Sequence, residues 1–585
     1  VKITEAFQIL NSAPATAPAY RVRLACGFTP LHLGKFLGAH LQRRLTDRRV
    51  SVVSGLYGDL PGTIEGLARD AAVHALAVVP EWSDLDARLG YRSAGGWGPR
   101  AIADILRAVD AALGRIGDAL ERVPAEIPVA LALPTLPLPP LFHTPGCQAG
   151  EAEMTLEHSA AKFGLSAARR RGCRVLSAGW LAAVSPHEIR FDFKSDLLTG
   201  LPYTLPHASA IASALADLLV PSPPKKGLIT DLDDTLWSGI LGEVGPENVS
   251  WDLGNHHHVH GLYQTLLSAF AEEGALIAVS SKNDPALVEQ VFRRGDLLLR
   301  AGQVFPVEVN WNAKSASVAR ILRAWNLAAD SVVFVDDSPM ELAEVAAAHP
   351  GIEVVPFPQG DYAAAYKMLR RLREFFAKSV ISVEDSIRLE SVRQGAVFQE
   401  SGTNGQPAAE AFLEAAEATI TFDFDASARD ERLLELVNKT NQFNLNGIRY
   451  TPADWRLRLA LPNSVLVSVG YQDKFGPLGK IAVILGRVED GNASIDTWVM
   501  SCRAFARRIE YCCVKTIFEH YGLKRIDLNF IATPRNVPLQ DFLTTATGNR
   551  PTGPVSVTRE LFEEKCPPLY QSICEAQPTQ AHGSD

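Results

Sequence analysis

Gly227-Leu-Ile-Thr-Asp231-Leu-Asp233-Asp-Thr235-Leu-Trp237 decides how this 585-residue chain is read. A short apolar strand runs straight into two carboxylates one residue apart, followed by a threonine. A strand end holds its last side chains rigidly. Two acidic groups this close repel each other unless a cation sits between them. The arrangement suits Mg2+ binding and attack on a phosphoryl group.

Three later segments sharpen that reading. Ala275-Leu-Ile-Ala-Val-Ser280-Ser281-Lys-Asn283 is a second buried strand ending in hydroxyls. Asp284 then supplies an N-cap and Pro285 a first helical residue. A hydroxyl and backbone N–H groups at a helix start form a phosphate cradle. Lys314, in Asn310-Trp-Asn-Ala-Lys314-Ser, precedes the helical run Val318, Ile321, Leu322 and offers a cation to a transferring phosphoryl group. Val332-Val-Phe-Val-Asp336-Asp337-Ser-Pro-Met-Glu341 is a third strand ending in carboxylates. Ser338 and Glu341 there make a capping box, with Pro339 at the first helical position. In a parallel α/β sheet such strand ends converge on one edge, where ligands bind.

The composition is that of a globular protein, 47% hydrophobic and 21% charged, and the length predicts three domains. A net charge of −9 offers no basic surface for nucleic acid. No long uninterrupted apolar run predicts a membrane span, Val1–Glu5 lacks a signal-peptide apolar region, and a cytoplasmic protein is expected. The eight cysteines include no C-x-x-C pair, so neither a zinc cage nor a disulfide framework is indicated. Residues 1–222 alternate strand-like and helix-like segments and predict an α/β layer with a largely parallel sheet. Pro221–Lys226 reads as a linker, 227–380 as a second α/β unit, and Ser401–Pro407 as a loop. Residues 381–575 read as a helical connection and an α+β unit. Its strands are expected near Ile420–Phe424, Val465–Tyr471, Ile481–Leu485 and Ile495–Val499, and its helix from about Ala506 to His520.

The four segments of the central unit resemble the motifs of the haloacid dehalogenase (HAD) phosphohydrolase superfamily. The resemblance implies a Rossmann-like domain with a small cap. It implies that Asp231 is the nucleophile that becomes an aspartyl-phosphate, and that Asp233 is the general acid/base. Ser281 and Lys314 would hold the phosphoryl group. Asp231, the Asp233 backbone carbonyl and Asp336 would ligate Mg2+, with Asp337 assisting in the metal shell or orienting Lys314. Leu236–Glu243, Ser281–Asp284, Val309–Trp311 and Phe334–Asp337 further resemble the FkbH-like branch of that superfamily. So do Asn438-Lys-Thr-Asn-Gln-Phe-Asn-Leu445, Asp473-Lys-Phe-Gly476 and Met500-Ser-Cys502-Arg503, so the resemblance runs from Gly227 into the 520s. Members of that branch are glyceryl transferase/phosphatases of polyketide pathways. They capture the glyceryl group of 1,3-bisphosphoglycerate on a cysteine, remove phosphate, and load an acyl carrier protein.

An acyl phosphate is already activated, so its capture needs only a thiolate and an oxyanion stabiliser. Cys502 follows the apolar segment Ile495–Met500 and precedes Arg503, at an expected strand-to-helix junction. A guanidinium and a helix N-terminus both lower a thiol pKa. Read with the family, Asn438, Lys439, Asn441, Gln442 and Asn444 bind substrate hydroxyls or line an acyl pocket, and Asp473 is a further polar site group. The strand and helix order resembles a GNAT-like N-acetyltransferase fold. Alanine and arginine occupy the glycine positions of that fold's pyrophosphate turn in Arg503-Ala-Phe-Ala506-Arg507-Arg508. This argues against a coenzyme A donor and leaves a carrier-protein pantetheine arm. Arg507 and Arg508 are expected to meet an acidic carrier protein or to lie on an exposed helical face. Asn255-His256-His-His258-Val-His260 has no carboxylate or cysteine set spaced for a closed zinc site. The N-terminal unit resembles SGNH-hydrolase or flavodoxin-like topology, but Cys26-Gly27-Phe28-Thr29 replaces Gly-Asp-Ser and no D-x-x-H follows, so a scaffold or docking role is expected. Two other readings stay open: a plain Mg2+-dependent phosphatase of a small acyl or sugar phosphate, and a non-catalytic carrier-protein docking scaffold.

Overall fold

The computed structural model of the chain describes every residue except 14–15, 70–71, 94–98, 141–143, 146, 379, 383–384, 386, 394–409, 411–412, 425, 427–429, 475, 502–503, 506 and 577–585. The loop expected at Ser401–Pro407 and the candidate pair Cys502 and Arg503 therefore lie outside the described residues. The described residues form three sheets in two compact units, one of Val1–Ser222 with Thr451–Ala453 and the other of Pro223–Tyr450 and Asp454 onward.

In the first unit β1 (Ala19–Ala25), β2 (Arg49–Ser54), β3 (Ala75–Val78), β4 (Val129–Leu131) and β5 (Cys173–Val175) pair in parallel in the order 2-1-3-4-5. That is a doubly wound order. Cys26, just past β1, is buried and directs its Sγ to the Phe28 carbonyl. Burial, then the nearby Asp84, push this thiol far above the usual range, the opposite of what a nucleophile needs. His207 is also buried, its Nε2 bonded to Thr135 Oγ1 (3.0 Å) and its Nδ1 to Ser185 Oγ (2.8 Å).

The second unit begins with β6 (Gly227–Thr230), β7 (Leu276–Ser281), β8 (Val304–Val309), β9 (Val332–Asp336) and β10 (Glu353–Pro356), all parallel, in the order 10-9-6-7-8. Strands β6, β7 and β9 are apolar on both sides because both sheet faces are covered. Leu228, Ile277, Val279, Val333 and Val335 pack with Tyr263, Leu267 and Phe376 on one face. Ile229, Ala278, Val332 and Phe334 pack with Val318, Ile321 and Trp325 on the other. Gly227 is required where it stands, since a Cβ there would lie 2.4 Å from the Trp325 ring. The chain moves from β6 through β7 to β8 on one side, then returns to lay β9 and β10 on the other. The switch point of the sheet thus falls between β6 and β9, and in such sheets the carboxyl ends of the strands at that point are where ligands bind.

The same unit carries an eight-stranded mixed sheet. Its strands are β11 (Thr419–Asp423), β12 (Phe443–Asn444), β13 (Ser464–Asp473), β14 (Gly476–Glu489), β15 (Asn492–Met500), β16 (Arg525–Leu528), β17 (Val555–Thr558) and β18 (Ser572–Glu575). The order is 17-16-15-14-13-11-18, with β12 on β15, and only the β15–β16 and β11–β18 pairs are parallel. Strand β14 is much longer than the expected Ile481–Leu485. It pairs antiparallel with β13 from Gly476 to Arg487, a tertiary gain that local apolarity does not signal. The helix expected from Ala506 starts at Ile509, after Arg508 in the left-handed region (φ 57°). No helix among the described residues is long and apolar enough to cross a membrane.

Candidate active site

Asp231 directly follows β6, and its N–H donates to the Val335 carbonyl at 3.0 Å, so strand pairing continues up to the carboxylate. Thr230 lies opposite Val335 in the register, which sets Asp231 beside Asp336, the last residue of β9. Ser281 ends β7 on the other side of β6 and is buried. Lys314 opens the helix Lys314–Trp325 and is only 5% exposed. Its Nζ donates to Asp336 Oδ2 at 2.5 Å and to Asp231 Oδ2 at 2.9 Å. Asp336 Oδ1 accepts the Ser338 N–H at 2.9 Å. The expected caps form: Asp284 accepts from the N–H of Ala286 and Leu287, and Ser338 from that of Glu341, with a proline first in each helix. Glu341 sends its own carboxylate to Lys282 Nζ (2.7 Å) instead of back to the cap. These caps fix the loops that carry Asn283 and Asp337.

Asp231, Asp336 and Asp337 each bring one carboxylate oxygen within 4.8 Å of the others, the only group of three or more metal-ligating side chains among the described residues. Three carboxylates face one ammonium, which leaves two formal negative charges. Asp231 Oδ1 is buried without a hydrogen-bond partner among the described residues. All-oxygen donors, surplus negative charge and an unsatisfied carboxylate oxygen fit a hard divalent cation such as Mg2+. Burial, then the neighbouring Asp231, push the Asp336 carboxyl up to about 6, while Asp337 is raised by the same two causes. Burial opposes the charge on Lys314, but Asp231 and Asp336 outweigh it and its pKa is raised.

The Asp233 carboxylate takes no part in that trio. Its Oδ1 accepts from Trp237 Nε1 (3.0 Å) and its Oδ2 from Asn283 Nδ2 (2.9 Å). Burial raises its pKa despite these donors. The turn beyond it is held by Asp234 in the left-handed region (φ 50°), whose Oδ1 accepts the Gly239 N–H at 2.8 Å. Thr235 Oγ1 donates to Asp337 Oδ1 (3.5 Å) and Gln359 Nε2 to Asp337 Oδ2 (2.8 Å). Trp237 and Asn283, the holders of Asp233, are the site residues that sequence reasoning missed. Their only signal was position, four residues after Asp233 and two after Ser281. We expect Asn283→Leu to raise the Asp233 pKa further, because the lost amide donor stabilises the charged carboxylate, and Asn283→Gln to restore part of the shift, as read from carboxyl signals in an NMR pH titration. An unchanged Asp233 titration in Asn283→Leu would mean that this amide does not hold the carboxylate.

The remaining candidates do not join this cluster. Asn438 Nδ2 and Oδ1 bond the Tyr450 backbone (2.8 and 2.9 Å), and buried Asn444 bonds Thr440 O, Asn446 N and Gly447 N. Both serve their own loop. Lys439 pairs with Glu435, and Asn441 Oδ1 accepts from Arg449 Nη2 at 2.5 Å. Gln442 Oε1 is buried with no partner among the described residues. Asp473 is buried at the end of β13, accepts from Tyr471 OH at 3.1 Å and lies 3.9 Å from Arg507 Nε. Arg507 is 1% exposed, so the expectation of a surface arginine is corrected: its charge is matched inside by Asp473. Among the histidines of 256–260, His260 is held by the Thr235 carbonyl (2.9 Å) and His257 by Ser250, which scatters their nitrogens.

No family model matches this chain, and no curated protein does. Among solved structures, the N-terminal part of BF1531 from Bacteroides fragilis, containing a phosphatase domain complexed with Mg, is 18% identical. The match covers 65% of this chain and 100% of that one with a TM-score of 0.49. An uncharacterized protein from Corynebacterium glutamicum is 18% identical over 26% of this chain and 95% of its own, with a TM-score of 0.19. A fungal multi-domain β-N-acetylglucosaminidase with a GCN5-related glucosamine N-acetyltransferase region is 11% identical over 91% and 64%, with a TM-score of 0.15.

Proposed function

We propose that the β6–β9 edge is the centre of a Mg2+-dependent phosphohydrolase. The observation that carries this reading is the buried Lys314 ammonium shared by Asp231 and Asp336, beside Asp337 and an unsatisfied Asp231 oxygen. Asp231, Asp336 and Asp337 would hold the ion, which when bound shields the charge of the incoming phosphoryl group. Asp231 attacks phosphorus and the bond to the leaving oxygen breaks. Asp233, with a raised pKa, protonates that oxygen. Asp233 then takes a proton from the water that splits the aspartyl-phosphate, and inorganic phosphate leaves. Ser281 and Lys314 hold the phosphoryl oxygens meanwhile.

The finer proposal couples this to acyl transfer. The motifs of Asn438–Leu445, Asp473–Gly476 and Met500–Arg503 support a glyceryl transferase/phosphatase that loads an acyl carrier protein from 1,3-bisphosphoglycerate. The Cys502 thiolate attacks the acyl carbon, the acyl–phosphate bond breaks, and the thioester later passes to the carrier's pantetheine thiol. Intact-protein mass spectrometry after incubation with 1,3-bisphosphoglycerate should give a glyceryl or phosphoglyceryl adduct that Cys502→Ala lacks. An adduct-free wild type that still releases phosphate from simple esters would leave only the phosphatase. That second reading is favoured by Asn438 and Asn444, whose amides are consumed by their own loop.

A further inference from the structure

Lys314 gives its ammonium to Asp231 and Asp336, the two buried members of the carboxylate trio. Asp337, the half-buried third member, is held differently. Gln359 Nε2 donates to its Oδ2 at 2.8 Å, and Thr235 Oγ1 donates to its Oδ1 at a long 3.5 Å. The shorter of the two side-chain bonds that orient Asp337 therefore comes from the loop after β10, an edge strand of the sheet.

Gln359 is exposed, yet the backbone on both sides of it is fixed. Two residues earlier, the Phe357 N–H donates to the Asp336 carbonyl at 2.8 Å. The Phe357 ring is buried against His260 and Tyr263, with ring centroids 5.0 and 5.4 Å apart. One residue later, Gly360 takes the left-handed conformation (φ 70°) that favours glycine. Asp361 then caps the helix Tyr362–Phe376 by accepting the Ala364 N–H at 2.9 Å. A buried anchor on one side and a helix cap on the other thus present a steady amide to Asp337.

Such an amide has work to do there. Three carboxylates with oxygens within 4.8 Å of one another repel, and Asp337 is the one with a route to water. A donor on its Oδ2 opposes that turn. We propose that Gln359 is a positioning residue for the metal: it keeps Asp337 turned in toward Asp231 and Asp336 before an ion arrives, and so makes the trio bind Mg2+ more tightly and prefer it to Ca2+. Mg2+ demands short bonds in near-ideal octahedral geometry, which a carboxylate set in advance supplies. Ca2+ takes more ligands in looser geometry and can follow a mobile carboxylate. The inference rests on the metal-ion reading of the trio given above.

Isothermal titration of the full chain with MgCl2 and with CaCl2 tests it. Gln359→Met keeps the side-chain length, removes the donor and lies at an exposed position, so its metal-free melting temperature should match that of wild type. It should bind Mg2+ about tenfold more weakly than wild type. Its Ca2+ affinity should fall by less, so the ratio of Mg2+ to Ca2+ affinity should drop. In an Asp337→Asn background, Gln359→Met should cost no further Mg2+ affinity, because Gln359 acts through Asp337. Wild-type Mg2+ affinity in Gln359→Met, equal losses for the two ions, or an additive loss in the double variant would each overturn this inference alone. Absence of Mg2+ binding by wild type would overturn the metal reading of the trio and this inference with it.

Discussion

Asp231→Asn should abolish phosphate release, by about 10⁴-fold or more, from any phosphoester or acyl phosphate the protein turns over. Asparagine keeps the size of the side chain and its place after β6, but a neutral amide cannot attack phosphorus. The fold should hold. Lys314 keeps Asp336 as its partner at 2.5 Å, and the like-charge contact between Asp231 and Asp336 is removed. The measurement is phosphate release under single-turnover conditions, with circular dichroism showing that the variant is folded. Phosphatase activity retained in Asp231→Asn would remove this residue as the nucleophile.

Lys314→Met should have the next largest effect, on stability as well as rate. The ammonium is the positive group that bridges the two buried carboxylates. Removing one member of a buried charge set typically costs about 3–5 kcal/mol, because the partners stay desolvated without compensation. Here the partners are two carboxylates that already repel, so the cost should sit at the upper end of that range. The loss is partly recoverable: a divalent cation can replace the missing positive charge. Saturating Mg2+ at about a hundred times its Kd would restore about 2.7 kcal/mol, and we expect it to raise the Tm of Lys314→Met more than that of wild type. The rate should stay low even in Mg2+, by about 10²–10³-fold, since the ion does not take over the contact of Lys314 with the phosphoryl oxygens. Differential scanning calorimetry with and without Mg2+ gives the first result, and initial rates give the second. An equal Mg2+ shift in both proteins would mean that Lys314 and the ion do not share the same carboxylates.

The carboxylate cluster was legible because each of its parts is a local pattern. An apolar run that stops at Asp231, Ser281 or Asp336 marks a strand end. Asp284-Pro285 and Ser338-Pro339 mark the helices that follow. Asp233 was legible as an acid, but the donors that orient it were not. Trp237 and Asn283 reach it only through the turn at Asp234 and across from β7, and neither contact follows from residue type. Arg507 misled in the other direction. Two adjacent arginines read as surface, yet one is buried on Asp473, because a buried arginine needs a partner from another strand and that partner is invisible in the local sequence.

Periodicity and strand-end chemistry alone therefore determined that this chain contains parallel α/β layers and that acidic, hydroxyl and ammonium groups sit at element ends. Such features depend on residues a few positions apart, where backbone geometry alone relates them. Only the tertiary structure decided which ends meet. The order 10-9-6-7-8 makes Asp231 and Asp336 neighbours across a long stretch of chain, and the same order lays the loop after β10 beside β9, which puts Gln359 on Asp337. Sheet order and interlayer packing are set by burial of whole faces, a non-local quantity that no short window of sequence carries.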